Sequence, residues 1–61
     1  MKPYRDLADL PNAAGFKFIG RLTDGTERPC VVLPDASGCY SAYDVHGVRI
    51  FPLLEGWRYL G

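Results

Sequence analysis

His46 is the only histidine of this 61-residue chain, and Cys30 and Cys39 are its only cysteines. These are the residues best equipped for metal binding or nucleophilic chemistry. A zinc site needs three or four protein ligands, usually at paired Cys-x-x-Cys or His spacings. Asp44 and His46 alternate onto one face of an extended segment, but neither a second histidine nor a Cys-x-x-Cys accompanies them. No metal site is expected. A nucleophilic thiol needs a neighbouring base and a third group to orient that base. No local signature surrounds either cysteine, so the expectation is that the protein is not an enzyme. The seven glycines fall singly, at turns and strand kinks, and form no phosphate-cradling loop. No cofactor is expected.

The remaining chemistry is that of binding. Lys17, Arg21 and Arg28 lie close around one turn in the stretch from Phe16 to Leu33, and basic side chains on one face can track phosphates or meet an acidic partner. Tyr40 and Tyr43, with Tyr59, can form an aromatic platform on which bases or a peptide stack. The candidate binding residues are therefore Lys17, Arg21, Arg28, Tyr40 and Tyr43. The simpler alternative for the basic residues is a solvated outer face. For Trp57 the simpler alternative is a core plug, because so small a domain needs its largest apolar side chain inside.

Positioning these residues falls to short elements. The stretch Lys2–Leu10 reads as one short helix. Pro3 suits its first turn, Leu7 and Leu10 share a side, and Pro11 ends it. Beyond Gly15 the apolar spacing changes to period two. Strand segments are expected at Phe16–Leu22, Glu27–Leu33, Cys39–Tyr43, Val48–Phe51 and Trp57–Leu60, separated by turn clusters. The "PLLEG" stretch reads as a bend or a single helical turn. The whole is expected to be mainly β: a five-stranded antiparallel meander over residues 16–60, closing into a small SH3-like barrel, with one short N-terminal helix over residues 2–10. All 61 residues form one domain.

Asp24-Gly25 is a strong hairpin signal and predicts a two-residue turn. Thr23 then faces Thr26, and Arg21 faces Arg28. One face holds Phe16, Phe18, Leu22, Val31 and Leu33, which reads as the core. The other holds Lys17, Ile19, Arg21, Arg28, Cys30 and Val32, so the three basic residues share it. Arg21 opposite Arg28 is a like-charge pair that calls for a carboxylate, a negative partner or water between them. Pro29 cannot donate to a ladder and belongs at an edge or bulge. That edge, with Ile19, Cys30 and Val32 partly exposed, is a plausible contact or homodimer surface. The "PDASG" turn allows two registers. With Leu33 facing Gly38, Cys30 and Cys39 lie diagonally on one face; with Leu33 facing Cys39 they lie on opposite faces. Free thiols are the expectation.

Bulk composition frames the function. Seven basic and seven acidic residues give zero formal net charge, against a nucleic-acid-coating or membrane-surface protein. The charged stretch after Lys2 is unlike a signal peptide, and no apolar run approaches the ~20 residues of a membrane helix. The expected place is the cytoplasm. The first functional reading is a protein-binding module, an adaptor or inhibitor that covers a partner's surface. A free-standing domain of this length resembles the small accessory proteins of phages and mobile elements. The alternative is a nucleic-acid-binding small barrel using the basic face.

Overall fold

A computed structural model of the chain describes residues 3–60. Among these residues four strands are formed: β1 (Lys17–Leu22), β2 (Glu27–Pro34), β3 (Tyr40–Asp44) and β4 (Leu54–Tyr59). They pair antiparallel in the order β3-β2-β1-β4. The sheet is open, with β3 at one edge and β4 at the other, so the expected closed barrel does not form. The fifth strand expected at Val48–Phe51 shrinks to a single bridge, Tyr43 to Arg49, followed by a 3-10 turn at Phe51–Leu53. Pro52 within that turn has no N–H to give to a ladder.

The short N-terminal helix is likewise corrected. Among the described residues the segment has only a 3-10 turn at Leu7–Asp9, and Lys2 lies outside them. Its backbone groups are used elsewhere. The Arg5 N–H donates to the Trp57 carbonyl at 2.6 Å, and the Trp57 N–H donates back at 3.2 Å. The Trp57 indole N–H donates to the Asp6 carbonyl at 2.9 Å. Two turns of isolated helix are marginal in water, and pairing with β4 takes their place.

Each hairpin loop has three residues, where two were expected in the first. In the first, the Leu22 N–H donates to the Thr26 carbonyl at 2.8 Å, and the Gly25 N–H to Leu22 at 2.9 Å. Gly25 has φ +90°, the left-handed position that ends a three-residue type I loop with a bulge. The β2–β3 loop repeats this geometry between Asp35 and Cys39, and the loop after β3 repeats it between Asp44 and Val48. Gly38 and Gly47 take the place of Gly25. The Asp35 and Asp44 side chains brace their own loops. Asp35 Oδ1 accepts the N–H groups of Ser37 and Cys39, and Asp44 Oδ1 accepts those of His46 and Val48.

The extra loop residue shifts the β1–β2 register by one. Phe18 faces Cys30, Gly20 faces Arg28, and Arg21 faces Glu27. A one-residue slip exchanges the two faces of a strand. Cys30 and Val32 therefore point into the core with Phe18 and Leu22, while Val31 and Leu33 point out. Of the expected core residues, Phe18 and Leu22 are buried, Phe16 and Val31 are half-buried, and Leu33 is exposed. The core is completed by Ala42, Ile50, Leu54 and Trp57, with Leu7, Leu10 and Phe16 packed against it. Trp57, only 1% exposed, is the core plug expected of it. The β2–β3 register pairs Leu33 with Ser41, so neither expected register occurs.

Candidate functional site

The open sheet leaves its two faces unequal. One is covered by the segments before β1 and between β3 and β4. The other carries Ile19 and Arg21 from β1, Glu27, Pro29 and Val31 from β2, and Tyr43 from β3. At one end of this outer face lies an open groove of about 700 Å³. Val31, Leu33, Tyr43 and Leu60 give it apolar walls, and Lys17 stands among them. Leu33 and Leu60 keep 39% and 51% of their surface exposed, so the described chain leaves both partly uncovered.

The other half of the face is a polar network. The Tyr4 hydroxyl donates to Glu27, and the Arg58 Nε donates to the same carboxylate at 3.0 Å. Arg21 Nε donates to Glu55 at 2.6 Å, and its guanidinium lies 5.1 Å from the centre of the Tyr4 ring. Hydrogen bonds from Arg58 and Tyr4 hold Glu27 below the usual carboxylate range. The Glu55 hydrogen bond strengthens the hold of Arg21 on its proton. These charges are satisfied within the chain.

The expected basic face is therefore divided. Lys17 and Arg21 are on the outer face, but Arg28, paired with Gly20, belongs to the opposite one. There its guanidinium lies 3.9 Å from the Asp44 carboxylate, itself buried. The like-charge pair disappears, because Arg21 faces Glu27. The tyrosines separate too. Tyr43 lines the groove. Tyr40 is exposed beside a smaller depression near Leu7 and Phe51, and Tyr59 packs edge-on against Phe16 and Trp57. Of the five candidate binding residues, the groove brings together Lys17 and Tyr43 alone.

The groove residues Val31 and Leu33 were expected inside, and Leu60 carried no expected role. The signal for them is loop length. Asp35-Ala-Ser-Gly38 and Asp44-Val-His-Gly47 share one Asp-x-x-Gly spacing. With Gly25 at the third loop position, that spacing favours three-residue loops and places Val31 and Leu33 outside.

Among the described residues, no group of three or more His, Cys, Asp or Glu side chains gathers as metal ligands would. The two cysteines are free, Cys30 buried and Cys39 exposed. Cys39 pairs with Asp35, five residues along β2 from Cys30. At about 3.3 Å per residue that is roughly 17 Å, far beyond the ~7 Å reach of a disulfide. Burial pushes the Cys30 thiol up, away from the reactive thiolate. The surface suspected around Ile19, Cys30 and Val32 does not exist as such, because Cys30 and Val32 are core residues. Pro29 sits just past Cys30, the last β2 residue paired with β3. No ladder bond is lost there.

No family model, no curated protein and no solved structure matches this chain. Among the described residues, no helix is long and apolar enough to cross a membrane.

Proposed function

We propose that the protein is a non-catalytic binding module that acts by contact with another protein, as an adaptor or inhibitor, through the outer face of its sheet. The observation that carries this reading is the apolar groove around Val31, Leu33, Tyr43 and Leu60, left open beside a polar network that is already satisfied. An apolar centre with a polar rim is the usual build of a protein contact. The role of a phage or mobile-element accessory protein is compatible with such a module.

A nucleic-acid interface has less to support it. Phosphate tracking needs unpaired cations along one surface. Here Arg21, Arg28 and Arg58 each face a carboxylate. The test is a photo-crosslinking residue at position 33, with a control at position 37 in the β2–β3 loop, in cells of the source organism. A protein crosslinked from position 33 and lost in Tyr43→Asp supports the reading. Crosslinks to nucleic acid, or equal crosslinking from both positions, would overturn it.

A further inference from the structure

The groove has features that narrow the kind of partner it takes. Eleven of the described residues line it, about half of the ~20–30 a side found in a stable interface between folded proteins. A folded partner or a second copy of this chain would have to reach beyond the groove onto the polar network, whose charges are already paired. The volume of about 700 Å³ falls in the ~300–1,000 Å³ range of sites for small ligands. Such sites enclose their ligand, whereas this groove lies open along the sheet face. That shape suits a short stretch of extended chain.

Charge narrows the partner further. Lys17 stands among Val31, Leu33 and Leu60, and no carboxylate of the described residues lies in ion-pair range of it. Among the described residues, Asp44 is the only acid lining the groove. It is on β3, separated from Lys17 by the width of β2, so the two lie roughly 10 Å apart at strand spacings of about 4.8 Å. Its oxygens are already taken by His46, Val48 and Arg28. Among the described residues, Lys17 is thus the one charge in the groove free to select a ligand.

Resting on the protein-binding reading above, we infer that the groove takes a short extended peptide segment whose apolar side chains seat against Val31, Leu33 and Leu60 and whose carboxylate meets Lys17. Alternate side chains of an extended segment point the same way. An acidic residue two positions from an apolar one therefore turns its carboxylate to the same side, into the groove, within reach of the Lys17 ammonium.

The test uses the full chain, ¹⁵N-labelled, titrated with three end-blocked peptides: Leu-Ser-Asp-Ser-Leu, Leu-Ser-Lys-Ser-Leu and Ser-Ser-Asp-Ser-Ser. We expect the first to move the amide signals of Lys17, Val31, Leu33 and Tyr43, binding about fivefold tighter than the second, the size of one exposed ion pair. The third should move none of them. Lys17→Glu should reverse the order of the first two, and Lys17→Gln should level them. If both leucine peptides bind alike, or the order survives in Lys17→Glu, the role of Lys17 is overturned while the groove remains a protein site. If no peptide moves the groove signals but crosslinking at position 33 still captures a protein, the peptide inference alone fails. If both fail, the binding reading falls with it.

Discussion

Trp57 shows how a single side chain ties the chain together. Its ring packs edge-on against Phe16 and Phe18, and its indole N–H reaches across to the Asp6 carbonyl. A domain of this size has a stability of only about 3–9 kcal/mol, at ~0.05–0.15 kcal/mol per residue. Removing a buried Trp side chain costs about 3–5 kcal/mol. Trp57→Ala is therefore expected to leave the chain largely unfolded. Trp57→Phe, which loses the hydrogen bond but keeps most of the packing, should remain folded with a lower urea midpoint. Gly20 is equally constrained. A Cβ there would lie 2.6 Å from a Leu54 methyl and 2.9 Å from the Cys30 sulfur. The thiols offer a second check at this scale. Cys39 should react with a thiol reagent in the native protein, whereas Cys30 should react only after denaturation. Rapid native titration of two thiols would contradict the burial of Cys30. The chemical identity of these residues was legible in the sequence. Which of them faced inward was not, because that depends on a loop several residues away.

The hairpins decide that question. Thr23, Asp24 and Gly25 fill a three-residue loop, and the third of them must adopt a left-handed conformation. For a residue with a Cβ that conformation costs roughly 1–2 kcal/mol. Gly25→Ala should lower stability by about that much, read from chemical denaturation, without changing the strand pairing. Deleting Thr23 is the sharper experiment. It leaves Asp24-Gly25 as a two-residue loop, a composition such loops favour, between Leu22 and Thr26. We expect the shortened chain to fold with Phe18 still opposite Cys30, as cross-strand proton contacts would show. Arg28 opposite Arg21 in that variant would mean that the loop, and not the burial of Cys30 and Val32, sets the register. The positions of the turns were readable from Gly and Asp, and the Asp-x-x-Gly spacing signals the length of the second and third, but the length of the first was not readable. Asp-Gly suits both a two-residue loop and, with Thr23, a three-residue one, and only the pattern of burial separates them.

Across the whole molecule, carboxylates hold the turns and the outer face in place. Hydrogen bonds from Thr26 hold Asp24 below its usual range, those from Ser37 do the same for Asp35, and backbone N–H groups from Val48 and His46 do so for Asp44. Glu27 is lowered by Arg58 and Tyr4. A group lowered on folding contributes stability that is present above its unfolded value and lost as pH falls through its folded one. Stability should therefore be level near neutral pH and decline below about pH 4, the usual aspartate range. Asp44→Asn should shrink that acid-side decline, measured as urea midpoint against pH. An unchanged profile would show that Asp44 does not carry it. The Cα radius of gyration is 10.7 Å, close to the ~10.5 Å expected for a compact body of this length. A single sheet with one packed face accounts for the whole described chain.

The sequence by itself determined a mainly β chain, the position of each turn, the burial of Trp57 and Phe18, and the absence of any familiar catalytic motif. These follow from local chemistry: glycine at turns, period-two alternation, and a large aromatic that must leave water. Only the tertiary structure decided the strand register, the fate of the N-terminal segment and the identity of the exposed face. A one-residue change in loop length exchanged Val31 and Leu33 with Cys30 and Val32. Pairing of Arg5 with Trp57 displaced a helix that was marginal alone. The groove arose from the first, since it is built from residues distant in sequence and side chains that alternation alone would have placed inside.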